Sequence, residues 1–185
     1  MATVTPNTAG SEALRRALAE IASKQARVGF FEHSKYPDGT SVAHVATIQE
    51  FHPQHARPFM RPTIEEQRST WQDTLKKGMQ AVINGRIDAT AMLQQFGMLA
   101  AGDVRLTISR ITSPELSPIT LLLRKRRNSP DFTPGGRAVG QAARDARFTG
   151  PRAADDRNNL SGVSTKPLVD TGLLIQSVNS DVVDR

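Results

Sequence analysis

The sequence predicts an α+β fold: several helices around one long central helix, packed on a small sheet that pairs the first and last strands, with an extended polar insertion. Three observations lead there. Apolar residues recur at helical spacing through most of residues 11–127. Short strand-like runs stand near the two ends, at Val28-Gly29-Phe30-Phe31 and in "QSVNSDVV". Between them, residues 128–163 lose both periods and become rich in Pro, Gly, Asp, Asn and Arg. The chain therefore divides into a lead-in (1–10), a helical body with the first strand (11–127), a basic and polar arm (128–163), and a C-terminal helical turn and strand (164–185) that completes the body.

Each element has a local cause. Ser11 is a candidate N-cap, and Leu14, Leu18 and Ile21 repeat at helical spacing, so a first helix runs to about Lys24–Ala26. The strand Val28–Phe31 follows. "YPDGT" (Tyr36 to Thr40) is a turn, because Pro presets φ and Asp-Gly tolerates the reversal. A short helix spans about Ser41 to Phe51 and breaks at "HPQHARP". Thr63-x-x-Glu66 after Pro62 reads as a capping box, opening a helix that carries Ile64, Trp71, Leu75, Met79 and Val82 and stops at Asn84-Gly85. Asp88 caps the long helix, about Ala89 to Thr112. Its apolar residues spread over a wide arc, which predicts a central position. Ser117-Pro118 pairs an N-cap with Pro at N1 and launches "ITLLLRKRR". Near the end, Asp170 is expected to cap a helical turn at Leu173–Ile175. Val178 and Val182 share one face of the last strand.

Composition narrows the function classes. Hydrophobic residues make up 38% of 185, with one Trp and one Tyr, a modest core that suits burial against partners. The absence of Cys excludes disulfides, thiolate zinc sites and thiol catalysis. "MATVTPNTAG" has no basic region followed by an apolar run, and no stretch approaches the ~18 apolar residues of a membrane span. A soluble protein made in the cytoplasm, with no membrane partner, is expected. The charge is concentrated. From Arg124 to Arg152 eight basic residues stand against two acids, which accounts for the whole net charge of +6. Such a stretch suits a polyanion or an acidic protein surface.

Catalytic vocabulary is sparse. The histidines are His33, His44, His52 and His55. Glu50, His52 and His55 lie close in sequence, but on a Pro-containing loop rather than one helical face, so a metal-dependent hydrolase is only a remote alternative. There is no GxSxG elbow and no phosphate-cradling glycine motif beside Asp170-Thr171-Gly172. Glu65-Glu66 falls in a first helical turn, where it complements the dipole, and Asp155-Asp156 lies in the polar arm. No cofactor and no enzymatic activity are expected. The run Arg124, Lys125, Arg126, Arg127 lacks interleaved aromatics for stacking and a helix-turn-helix context for base reading, which leaves non-specific contact with duplex DNA in packaging, or an acidic partner.

The order of segments carries a resemblance. "VGFFEHSKYPDGTSVAHVATIQEFH", "RPFMRPTIEEQ", a long helix ending "TISRITSPELSPITLLLRKRR", and "STKPLVDTGLLIQSV" together resemble the tail-component and virion-morphogenesis proteins of tailed bacteriophages, from the neck or tail-completion region. The resemblance spans about Val28 to Val183. It implies a non-catalytic structural virion protein, assembled in the host cytoplasm as a homo-oligomeric ring, hexameric by tail symmetry, at the head–tail junction around the DNA channel. It implies other neck, connector or tail proteins as partners. Arg57, Phe59 and Arg61 are then expected at a subunit or partner contact. Arg124, Lys125, Arg126, Arg127, Arg137, Arg144 and Arg147 are expected to form a basic surface toward DNA or an acidic partner. Lys166, Pro167, Asp170, Thr171 and Gly172 are expected to hold the C-terminal fold.

Overall fold

A computed structural model describes residues 8–54, 56–127, 129–133, 135–148, 160 and 162–185. Helix α1 (Thr8–Ala22) leads into strand β1 (Lys24–Phe30). Then come α2 (Val42–Phe51), α3 (Met60–Ile83), α4 (Ala89–Arg110) and α5 (Pro118–Arg126). Helix α6 (Gly136–Asp145) with a 3-10 turn at Ala146–Phe148, α7 (Leu173–Gln176) and strand β2 (Val178–Asp184) complete the order. The α+β class stands. Among the described residues no helix is long and apolar enough to cross a membrane.

The sheet has two antiparallel strands, β1 and β2, pairing from Lys24 with Asp184 to Phe30 with Val178. The strand begins four residues earlier than the apolar run at Val28 suggests, because alternation is already established at Ala26. Ala26, Val28 and Phe30 oppose Val182, Ser180 and Val178, so these six residues share one face. A two-stranded ribbon is marginal alone and needs a covered face. Helix α4 supplies the cover, and Gly97 sets how near it comes: a Cβ there would lie 2.8 Å from Ser180 Cβ. Val178 is fully buried.

The expected central helix is α4, which buries residues from Ala89 to Ile108 along its length. It packs on the ribbon and on α3. At one end of the α3–α4 contact the Thr63 hydroxyl lies 2.6 Å from Thr107 Oγ1. Midway, the Trp71 indole N–H donates to Asp103 Oδ2 at 2.7 Å. Two core clusters result. One gathers Val42, Phe59, Val104, Ile108, Leu174 and Val178. The other gathers Val82, Ala89, Met92 and Leu93, against Ile21 of α1 and Val182 of β2. Leu14 and Leu18, read as the same face as Ile21, remain exposed.

Some local caps are as the sequence predicts. Asp88 accepts from Ala91 N, and Ser117 from Thr120 N, with Pro118 at the start of α5. The capping box at Thr63 is corrected. Helix α3 begins at Met60, so Thr63 lies inside it, buried, with its hydroxyl 2.6 Å from Phe59 O. Pro62 sits in the first turn, where a missing N–H costs nothing. The arm also differs from an extended segment, since it contains the ten residues of α6.

Candidate functional site

Helix α3 has no cap from its own N-cap residue, Phe59, and Glu50 of α2 takes over that role. Its carboxylate accepts from the backbone N–H groups of Phe59 (2.7 Å), Met60 (3.0 Å) and Arg61 (3.2 Å), and from Arg61 Nε at 3.0 Å. Burial pushes the Glu50 pKa up, but these hydrogen bonds outweigh it and hold the carboxyl below the usual glutamate range. Arg61 also donates to Glu50 O at 2.8 Å and lies over the exposed Phe51 ring, 5.0 Å from its centroid.

This geometry reassigns the expected contact residues. Phe59 is fully buried, edge-on to Phe30 with ring centroids 5.8 Å apart, so it cannot meet a partner. Arg57 donates to Pro114 O through Nε (3.0 Å) and Nη2 (2.9 Å) and to Glu115 O at 3.3 Å, tying α2's exit to the loop before α5. Of the three, Arg61 keeps the most exposed side chain, paired with Glu50 and stacked on Phe51.

The run Arg124 to Arg127 is partly turned inward. Arg124 Nη1 donates to Ser164 O (2.8 Å) and Lys166 O (2.9 Å), and Nη2 donates to Pro167 O (2.9 Å). Its Nε lies 3.5 Å from Asp170. Burial, then repulsion from Arg127 and Arg57, holds Arg124 below the ordinary arginine range against the pull of Asp170. Arg127 grips both Asp170 oxygens. Arg126 pairs with Asp145 of α6 at 2.7 Å. Lys125 lies on the same helix, half-buried. Arg137 and Arg144, seven positions apart on one face of α6, are exposed, as is Arg147 in the turn after it. The exposed basic surface is therefore more α6 than α5.

The C-terminal motif is a strap fastened by these arginines. Pro167 and Leu168 are its buried residues, and Lys166 Nζ donates to Ser109 O at 3.3 Å. Asp170 does not cap α7 as expected; its carboxylate is taken by Arg127 and Arg124. Thr171 Oγ1 accepts from Leu173 N at 3.3 Å, and Gly172 at φ 76° provides the left-handed step into α7.

Arg57, Arg124, Arg127, Pro167 and Asp170, which come from distant stretches of chain, converge on one cleft of about 790 Å³. Leu116, Leu123, Phe132 and Val139 supply its apolar walls, with Ser117 and Thr120 among its polar groups. Gln49 also lines it, and Gln49 Oε1 is buried without a hydrogen-bond partner among the described residues. Sequence reasoning found the arginines but neither the cleft nor Glu50's grip on α3. The signal for α6 was present in the spacing of Ala138, Val139 and Ala142 after Gly135-Gly136.

Of the triad considered for a metal, Glu50 is committed to α3. His52 Nδ1 accepts from Gln54 N at 3.2 Å. His55 lies outside the described residues. Among those residues, no group of three or more His, Cys, Asp or Glu could hold a metal ion. No family model, curated protein or solved structure matches the chain.

Proposed function

We propose that this chain is a structural, non-catalytic subunit of a tailed bacteriophage particle, forming a ring at the head–tail junction as a neck or tail-completion component around the DNA path. The observation that carries the reading is the convergence of the segments behind the family resemblance. Arg57 of Arg-Pro-Phe-x-Arg holds the loop before α5, and Arg124 and Arg127 at the basic end of α5 hold Lys-Pro-Leu-Val-Asp. Much of their polar capacity goes to backbone carbonyls of neighbouring segments, as suits residues that set a shape for assembly. A hexameric ring gives the modest core its remaining burial in the subunit interfaces. The exposed Arg137, Arg144 and Arg147 then meet genomic DNA without reading its sequence.

Mass spectrometry of gradient-purified particles is the test. The chain is expected in the particle at ring stoichiometry, and mass photometry of the detached assembly should give six times the 20.2 kDa chain. Its absence from intact particles sinks the reading. The same α6 cations favour a second reading, a non-specific duplex-binding module in packaging. A monomer that binds duplex DNA with a steep salt dependence decides for it.

A further inference from the structure

Among the described residues, the cleft between α5, α6 and the 166–170 strap has more cationic groups than its own acids neutralise. Three arginines, Arg57, Arg124 and Arg127, and two acids, Glu115 and Asp170, line it. Asp170 is held by Arg127 and Arg124 together. Arg57 spends Nε and Nη2 on the Pro114 and Glu115 carbonyls, and its Nη1 has no partner among the described residues. A carboxylate arriving in the cleft therefore meets an unpaired guanidinium edge. Beside these charges lie Leu116, Leu123, Phe132 and Val139, with Val139 half exposed. Gln49 Oε1, on the same wall, is a buried acceptor with no donor among the described residues, and a backbone N–H can satisfy it once the amide turns outward.

We propose that this cleft is a docking site for an extended peptide segment of another protein, carrying an Asp or Glu close to a large apolar side chain. The carboxylate pairs with Arg57 and the apolar side chain covers Leu116, Leu123 and Val139. Duplex DNA is the poorer fit. Phosphates on a rigid double helix reach exposed cations such as those of α6, whereas this site is a recess of about 790 Å³ with apolar walls, in the size range of small-ligand and peptide pockets. The proposal goes beyond the virion reading and does not depend on it.

The test is an array of randomised dodecapeptides screened with the full chain, followed by titration of the resynthesised consensus as a fluorescent peptide. Enriched sequences should combine an acidic residue with Leu, Phe or Met within a few positions. V139E places a carboxylate at the exposed edge of the cleft. It should weaken the consensus peptide by about tenfold, the size of one like-charge contact near a protein surface. V139K loses the same apolar cover without adding negative charge and should bind several-fold tighter than V139E, which separates charge from shape, and circular dichroism should show both variants folded. Lack of enrichment, enrichment of sequences without acids, or equal binding to V139E overturns the proposal. Displacement of the peptide by a short mixed-sequence duplex assigns the cleft to phosphate and overturns it too. Self-association of the chain that V139E abolishes gives the site to a second copy, again against the proposal.

Discussion

Replacing Glu50 tests how α3 is anchored. In E50A three backbone donors lose their acceptor: Phe59 N is buried, and Met60 N and Arg61 N are partly so. Each orphaned buried donor costs about 1–3 kcal/mol, and water recovers part of this for the two less buried groups. Arg61, more than half exposed, finds water when its partner goes. The expected loss is about 3–5 kcal/mol, comparable to breaking a buried pair. With a urea slope of about 2 kcal/mol per molar, the midpoint should fall by about 2 M. E50Q should lose about half as much, because its carbonyl oxygen can still accept from Phe59 and Met60 while its amide turns a donor toward Arg61. Acid adds an independent check. The folded carboxyl titrates below the unfolded value of about 4.3, so its stabilisation is complete above that pH and disappears as pH falls through the lower, folded value. Urea melts at fixed protein concentration, from pH 7 down to pH 3, should show this acid loss in the parent and a flatter profile in E50Q. An E50Q variant within about 0.5 kcal/mol of the parent, with the same acid profile, refutes the anchoring argument.

Further perturbations follow from close contacts. G97A should destabilise by about 1–3 kcal/mol through the clash with Ser180 Cβ, and the added S180G change should recover most of it in a thermal melt. R124K should cost about 2 kcal/mol, since one ammonium cannot span the three carbonyls of residues 164, 166 and 167; limited subtilisin digestion should then cut the strap faster, and an unchanged rate argues against the clamp. W71F should lose about 1 kcal/mol with the indole bond to Asp103, measured as a shift in urea midpoint.

What the sequence made legible was local or periodic. Asp88 and Ser117 announce their helices because a cap and its N–H lie within three positions of each other. The ribbon could be paired because only two strand-like runs compete for a partner. Glu50's role was hidden, since it caps a helix other than its own, nine to eleven positions on. Thr63-x-x-Glu66 offered a plausible local cap that the α3–α4 contact overrode by drawing Thr63 inward. The arginine run was read as surface because its partner, Asp170, is 43 residues away and a chain pattern does not reveal such pairings. Helix α6 escaped because the Pro, Gly, Asp, Asn and Arg content of residues 128–163 outweighs, as a composition, the ten-residue stretch in which Ala138, Val139 and Ala142 stand opposite Arg137 and Arg144 at helical spacing.

The ribbon that joins residue 24 to residue 184 spans 160 positions. Contacts of such wide separation slow folding, since the intervening chain must be gathered before they form. During translation α1 through α4 are made long before their covering strand leaves the ribosome. Until it arrives, β1 has an open edge and α4 an uncovered flank, both inviting attachment to other nascent copies. Synthesis of residues 178–184 thus times the moment at which β1 gains its partner and the flank of α4 is closed off.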